Sequence, residues 1–216
     1  VKRILSYIFP LSLFIILLLL GIRKTNLHGT LWQSHIFNPD IAVIGIYLLW
    51  IIYEIKIALI DAKSDNTGSD KGTRELYSIS QGVVVIMALW FRPVWTSPSL
   101  WQIAGLIMFT TGIAIRISAI RTLGKYYSHT IKKLDNHKII TDGPYRFIRH
   151  PAYAGMLAAH IGLTIFYFNY FAPAALLFLL APSIILRIKI EEVFLLKIEG
   201  YDEYYRQKKR LIPYIW

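Results

Sequence analysis

Residues 150–192 read HPAYAGMLAAHIGLTIFYFNYFAPAALLFLLAPSIILRIKIEE, an almost wholly apolar run with titratable residues at either end. A hydrocarbon core of about 30 Å needs roughly 20 apolar residues per crossing, so a run of this length is a crossing and a return. Asn169 and Pro173 supply the turn. The return brings Arg187, Glu191 and Glu192 to the membrane face that holds His150. Charge at a lipid boundary is costly unless paired or useful, so this convergence points to a site.

The whole composition agrees with a membrane protein. Of 216 residues, 55% are hydrophobic, 17% charged and 14% aromatic, too apolar a balance for a soluble domain of this length. A net charge of +11 beside long apolar runs is read as orientation in the bilayer. Nucleic acid is not expected as a partner, since that reading requires an exposed basic face on a soluble core. The chain has no cysteine, which removes disulfides, thiolate metal sites and cysteine nucleophiles.

Six apolar segments can be marked, at residues 4–22, 41–60, 79–95, 100–120, 153–168 and 171–188. The third and fifth are short for full spans. The first begins beside Lys2 and Arg3 but lacks a small-x-small cleavage site and runs into Arg23 and Lys24, so it is read as an uncleaved span. With both termini inside, the inner segments carry 20 Lys and Arg residues and the outer loops 3, with Lys56 inside the second span. That asymmetry places both termini and the loop 121–150 in the cytoplasm. The expectation is an all-α, polytopic integral membrane protein of about six transmembrane segments. It forms one membrane domain, 1–216, in which 1–121 holds the N-terminal helices and 122–216 a cytoplasmic loop, a helical hairpin and a C-terminal helix. Pro182 should kink the last apolar helix ahead of Arg187.

The chemistry-bearing residues crowd the last of the long inner loops. Residues 128–132 alternate polar and β-branched side chains and are expected to be extended. Thr141-Asp142-Gly143-Pro144 is a turn, and His150-Pro151 opens the fifth helix, whose free N–H groups favour a carboxylate or polar ligand. Each residue alone has a plain explanation. A boundary His or Tyr is an interfacial anchor, Arg146 and Arg149 are positive-inside charges, and Glu191 and Glu192 are a solvated pair for Arg187. Lys208, Lys209 and Arg210 are expected to face lipid headgroups. The conjunction argues otherwise: His137, Tyr145, His150 and Tyr153 follow in quick succession, and the hairpin returns Arg187 and Glu191 to them. No metal is expected, because His-Glu-x-x-His and His-x-His are both absent. Gly-x-Ser-x-Gly and a glycine-rich dinucleotide turn are absent too.

Two blocks carry a resemblance. The first is His137-Lys138-Ile139-Ile140-Thr141-Asp142-Gly143-Pro144-Tyr145 with Arg149-His150-Pro151-Ala152-Tyr153-Ala154-Gly155. The second is Arg187-x-x-x-Glu191-Glu192, then Gly200-Tyr201-x-x-Tyr204 and Arg210-Leu211-Ile212-Pro213. Together they resemble the signature of the isoprenylcysteine carboxyl methyltransferase family over about residues 122–216. The resemblance implies S-adenosyl-L-methionine as cofactor and a lipid-linked or prenylated carboxylate as methyl acceptor. It implies cofactor contacts from His137, Lys138, Ile139, Ile140, Tyr145, His150, Pro151, Ala152, Tyr153 and Glu191, and a substrate-facing catalytic role for Arg187. Lys132 sits where the family has another contact, although the loop length differs here.

The chemistry is coherent on its own terms. An ionised carboxylate needs no general base to take a methyl group from a sulfonium, so the protein's task is alignment. A guanidinium grips a carboxylate bidentately and is expected to orient it. Alternatives stay open. A phosphatidylethanolamine N-methyltransferase shares the His-Pro and Glu-Glu features, and its amine would need a proton acceptor, for which Glu192 is the candidate. A sterol-reductase-like enzyme would bind NADPH, whose phosphates want more arginines than this loop offers. A scaffold or transporter is the non-enzymatic reading, and against it the spans carry almost no polar residues at mid-membrane.

Overall fold

The computed structural model describes residues 2–27, 39–62, 72–91, 99–129 and 139–216. Their secondary structure is helical: α1 (Lys2–Leu27), α2 (Pro39–Ala62), α3 (Thr73–Trp90), α4 (Leu100–Leu123), α5 (Pro151–Phe166), α6 (Phe171–Leu195) and the short α7 (Tyr201–Gln207). Among them α2, α4 with the turn that follows it to Tyr126, and α6 carry the stretches long and apolar enough to cross a membrane, of 22, 27 and 25 residues. The six expected segments fall on six helices, the third displaced: α3 runs Thr73–Trp90 where residues 79–95 were expected. As anticipated, the fifth is short: its 16 residues reach about 24 Å, against a core of about 30 Å. The extended piece expected at residues 128–132 falls largely outside the described residues.

Local sequence explains where the helices begin and bend. Ser99 and Gln102 form a reciprocal capping box at the start of α4, each side chain accepting from the other's backbone N–H. The Asn169 carboxamide oxygen accepts from the N–H groups of Phe171 and Ala172 at 3.0 and 2.9 Å, and its nitrogen donates to Tyr167 O. One side chain therefore closes the hairpin turn and caps α6. The disturbance expected at Pro182 takes the form of a π-helical stretch, Leu176–Leu180, just ahead of the proline. Widening the helix by one residue accommodates the missing N–H and the ring without breaking the rod.

The α4–α5 contact is the tightest in the bundle. A β-carbon on Gly112 would lie 2.3 Å from the backbone nitrogen of Ala159, and one on Gly162 would lie 2.3 Å from that of Phe109. The two antiparallel backbones therefore touch. Lipid tails offer no hydrophobic drive between helices, so small residues that allow such close packing supply the attraction. This contact seats the short α5 and fixes where its first turn lies. The C-terminal tail completes that end: Arg149 N–H donates to Lys209 O at 2.8 Å and His150 N–H to Arg210 O at 3.0 Å. The N–H groups just before α5 are thus taken by the tail instead of being left for a ligand.

Candidate active site

The C-terminal ends of α2, α4 and α6 and the N-terminal ends of α3 and α5 meet at one face of the bundle. Two adjoining pockets lie there. One, of about 100 Å³, is lined by Ile139, Ile140, Tyr145, His150, Ala152, Tyr153 and Glu191, all named from the sequence. Pro151 is not among its walls; the proline lines a separate apolar groove with Pro144, Phe147 and Pro213. His137 and Lys138, with Lys132, lie outside the described residues.

Tyr145 is set by a tight turn, Gly143–Arg146, which opens with Gly143 at φ +54°. The Tyr204 hydroxyl on α7 locks that turn by donating to Tyr145 O at 2.7 Å, with Ile148 O at 3.2 Å. Tyr201, on the same helix, also lines the pocket. Burial pushes its phenol pKa up, so it remains a hydrogen-bond donor. Its hydroxyl and the Nε of Arg149, another lining residue, are buried and without hydrogen-bond partners among the described residues. Orphaned buried donors are uncommon and destabilising, and at a pocket wall they mark where a polar ligand is met.

The second cavity, of about 170 Å³, is walled by Trp50 and Glu54 of α2, Tyr77 and Gln81 of α3, Arg116, Tyr127, His129 and Arg187. Arg187 is 3% exposed. Its guanidinium donates to the Tyr153 hydroxyl at 2.8 Å, to Thr73 Oγ1 at 3.4 Å and to the carbonyl oxygen of His129. Tyr153 lines both pockets and donates onward to the Glu191 carboxylate at 2.8 Å. Arg187 thereby reaches Glu191 through a phenol, in place of the solvated pairing that four-residue spacing offers.

Beside this cavity lies an ion pair that sequence reading missed. Arg116, 2% exposed, donates to both carboxylate oxygens of Glu54, and also to Ala152 O at 3.2 Å and Tyr127 Oη at 3.3 Å. Trp50 Nε1 donates to Glu54 at 2.9 Å, and His129 Nε2 stands 3.4 Å from it. Farther along the helices, His160 Nδ1 pairs with Met156 O at 2.9 Å, which makes that nitrogen the protonated one. His160 Nε2 then accepts from the Tyr47 hydroxyl at 3.1 Å, and Gln81 donates to Tyr47 at 3.4 Å. The helices are therefore not as devoid of polar groups as their composition implied. The signal was present in Glu54, which with Lys56 interrupts one apolar stretch, and in Arg116, the single charge inside another.

Glu192 occupies a different position from its neighbour. One carboxylate oxygen lies 3.2 Å from both His150 Nε2 and Arg149, and the other accepts from Arg210 Nε at 2.9 Å. It lines neither pocket. Arg210, expected at the headgroups, instead clamps the tail to α6, with its guanidinium 5.3 Å from the Trp216 ring centroid.

Comparison with known proteins places this architecture. Residues 105–197 match the isoprenylcysteine carboxyl methyltransferase family. A probable protein-S-isoprenylcysteine O-methyltransferase of Oryza sativa subsp. indica is 36% identical over 115 residues, covering 51% of this chain and 60% of that protein. The protein-S-isoprenylcysteine O-methyltransferase of Tribolium castaneum is 29% identical over 192 residues, 82% of this chain and 68% of that one. A solved structure of the eukaryotic intramembrane Ras methyltransferase ICMT superposes with a TM-score of 0.58 at 25% identity, covering 84% of this chain and 70% of that chain. The chain thus spans about 60% of the length of the rice relative that it matches.

Proposed function

We propose, from a chain whose residues 105–197 match the isoprenylcysteine carboxyl methyltransferase family, that it is an integral membrane S-adenosyl-L-methionine-dependent O-methyltransferase. Its acceptor is the carboxylate of an isoprenylcysteine-like or other lipid-linked acid, converted to a methyl ester. The observation that carries this reading is the pair of pockets joined at Tyr153. One is polar-rimmed and built from α7, the loop before α5, the first turn of α5 and the end of α6. The other has mostly apolar walls and two buried arginines, of which Arg116 is paired with Glu54.

The first pocket fits the cofactor's chemistry. Tyr126 and Tyr145 offer aromatic faces and Ile139, Ile140 and Leu195 apolar walls for a purine. Glu191 offers an anion to the ammonium group. The orphaned Tyr201 hydroxyl and Arg149 Nε offer donors to hydroxyl and carboxylate oxygens. Bound S-adenosyl-L-methionine supplies an electrophilic methyl group on a sulfonium, which an ionised carboxylate attacks without a general base. Arg187 would hold that carboxylate by charge and geometry. Tyr153, pinned between Arg187 and Glu191, fixes the relative placement of the two pockets, which is where such a reaction gains its rate. The apolar walls at Leu13, Ile51 and Ala58 suit a hydrocarbon tail. The 20-to-3 charge asymmetry supports a cytoplasmic site, which admits the charged cofactor from the cytosol.

The ion pairs around Glu192 speak against an amine acceptor, since the carboxylate that would take the amine's proton is engaged by His150, Arg149 and Arg210. Calorimetric titration of the detergent-purified protein with S-adenosylhomocysteine tests the reading. Micromolar binding that is lost in Glu191→Ala is expected; absence of binding to the folded wild type would overturn it.

A further inference from the structure

Tyr77 is the fifth residue of α3, before the residues that match the family. Three observations set it apart. Its side chain is 7% exposed, yet its hydroxyl has no hydrogen-bond partner among the described residues. Its ring meets that of Tyr153 edge-on, with centroids 6.0 Å apart. The Arg187 guanidinium carbon lies 6.0 Å from the same Tyr77 ring centroid, and both residues wall the same cavity.

A buried phenol that only filled space would be better replaced by phenylalanine, because an unsatisfied hydroxyl opposes folding. A phenol that meets an anion is different. Tyrosine ordinarily titrates near 10, so at neutral pH the group is a donor. The charges lining the cavity leave room for an anion: Glu54 is neutralised by Arg116, Arg74 and Glu75 are of opposite sign, and Arg187 remains as the positive field. We infer that Tyr77 is a positioning residue for the acceptor, its hydroxyl donating to one oxygen of the substrate carboxylate while Arg187 faces the group.

This inference rests on the carboxyl methyltransferase reading and extends it. The phenol keeps its proton throughout. One carboxylate oxygen forms the new bond to the methyl carbon as the carbon–sulfur bond breaks, and the oxygen facing Tyr77 becomes the ester carbonyl. The donor therefore favours the acid, which carries charge, over the ester product, which does not. It binds substrate and helps release product.

The test is equilibrium binding of an N-acyl-S-prenylcysteine and of its methyl ester to full-length protein in detergent, wild type against Tyr77→Phe, with S-adenosylhomocysteine present. Losing one hydrogen bond to a charged group should weaken binding of the acid about ten- to hundred-fold. Binding of the ester and of S-adenosylhomocysteine should hold, and the melting temperature should stay level or rise. In turnover the loss should appear in KM for the acid. Unchanged acid affinity would overturn the inference. So would equal loss for acid and ester with a lowered melting temperature, which would mark a packing role. If wild type binds S-adenosylhomocysteine but neither prenylcysteine form, the acceptor assignment itself is wrong, and Tyr77 falls with it.

Discussion

The Tyr153 hydroxyl donates to the Glu191 carboxylate at 2.8 Å, across the wall that divides the two pockets. Because the same oxygen accepts from Arg187, a single side chain ties the residue expected to face the acceptor to the one expected to face the cofactor. A change on either side is felt through it, so variants around it should separate binding from turnover.

Arg187→Ala should cut turnover by on the order of 100-fold, the cost of a misplaced reactant, while S-adenosylhomocysteine affinity stays close to wild type. Arg187→Lys should rescue little, since an ammonium lacks the planar fork that spans Tyr153 and the His129 carbonyl. Parallel calorimetry and methyl-transfer assays check this. Equal loss of both properties would place Arg187 in the cofactor site.

Glu54→Ala strands Arg116 without its counter-ion in the bundle, and removing one partner of a buried pair costs about 3–5 kcal/mol. Thermal unfolding in detergent should show a large fall in melting temperature. Replacing both, as Glu54→Leu with Arg116→Met, should recover much of it, because well-packed apolar residues of similar volume match buried ion pairs in stability.

Gly112→Ala places a β-carbon 2.3 Å from a backbone nitrogen of α5, where no rotamer can move it away. Prising α4 from α5 should destabilise the protein by at least about 1–3 kcal/mol and displace the first turn of α5, lowering melting temperature and cofactor affinity together. Gly45→Ala is the control, since its β-carbon meets nothing within 4 Å. It should be neutral or slightly stabilising.

Glu192→Gln separates a clamp from a base. With its charge gone, the ties to Arg149, His150 and Arg210 weaken and the melting temperature falls. Assayed below that temperature, kcat should stay within roughly threefold of wild type, whereas loss of a general base would cost on the order of 100-fold or more. Steady-state kinetics with saturating substrates decide between the two.

The fold was legible wherever apolar length and punctuation carry the information. The hairpin turn at Asn169, the short fifth helix and the disturbance at Pro182 all follow from local rules; the structure differs in how Pro182 is absorbed and in the start of α3, at Thr73. Many residues lining the pocket beside α7 could be grouped from the sequence because they sit in one motif-dense loop and one returning helix. What stayed hidden is long-range. Glu54 and Arg116 are 62 positions apart and look like a stray charge and a boundary arginine until α2 and α4 lie side by side. Tyr77 falls just before the apolar stretch 79–95, and only the structure places it on α3. Arg210 belongs to a basic run whose partner, Glu192, is reached only once the tail crosses the start of α5. The spacing of Gly105 to Gly112 and of Gly155 to Gly162, seven residues in each helix, was a usable signal for the α4–α5 contact and went unread.

The most direct measurement is methyl transfer itself. Protein reconstituted in lipid vesicles is incubated with S-adenosyl-L-methionine labelled in its methyl group and an N-acyl-S-prenylcysteine. The lipid extract is then treated with mild base. The account predicts labelled product that releases volatile methanol under base, the behaviour of a methyl ester, formed on the order of 100-fold more slowly by Arg187→Ala. Label that survives base in a phospholipid headgroup would contradict the carboxylate acceptor, and no label in any lipid from a folded, cofactor-binding protein would contradict the methyltransferase account.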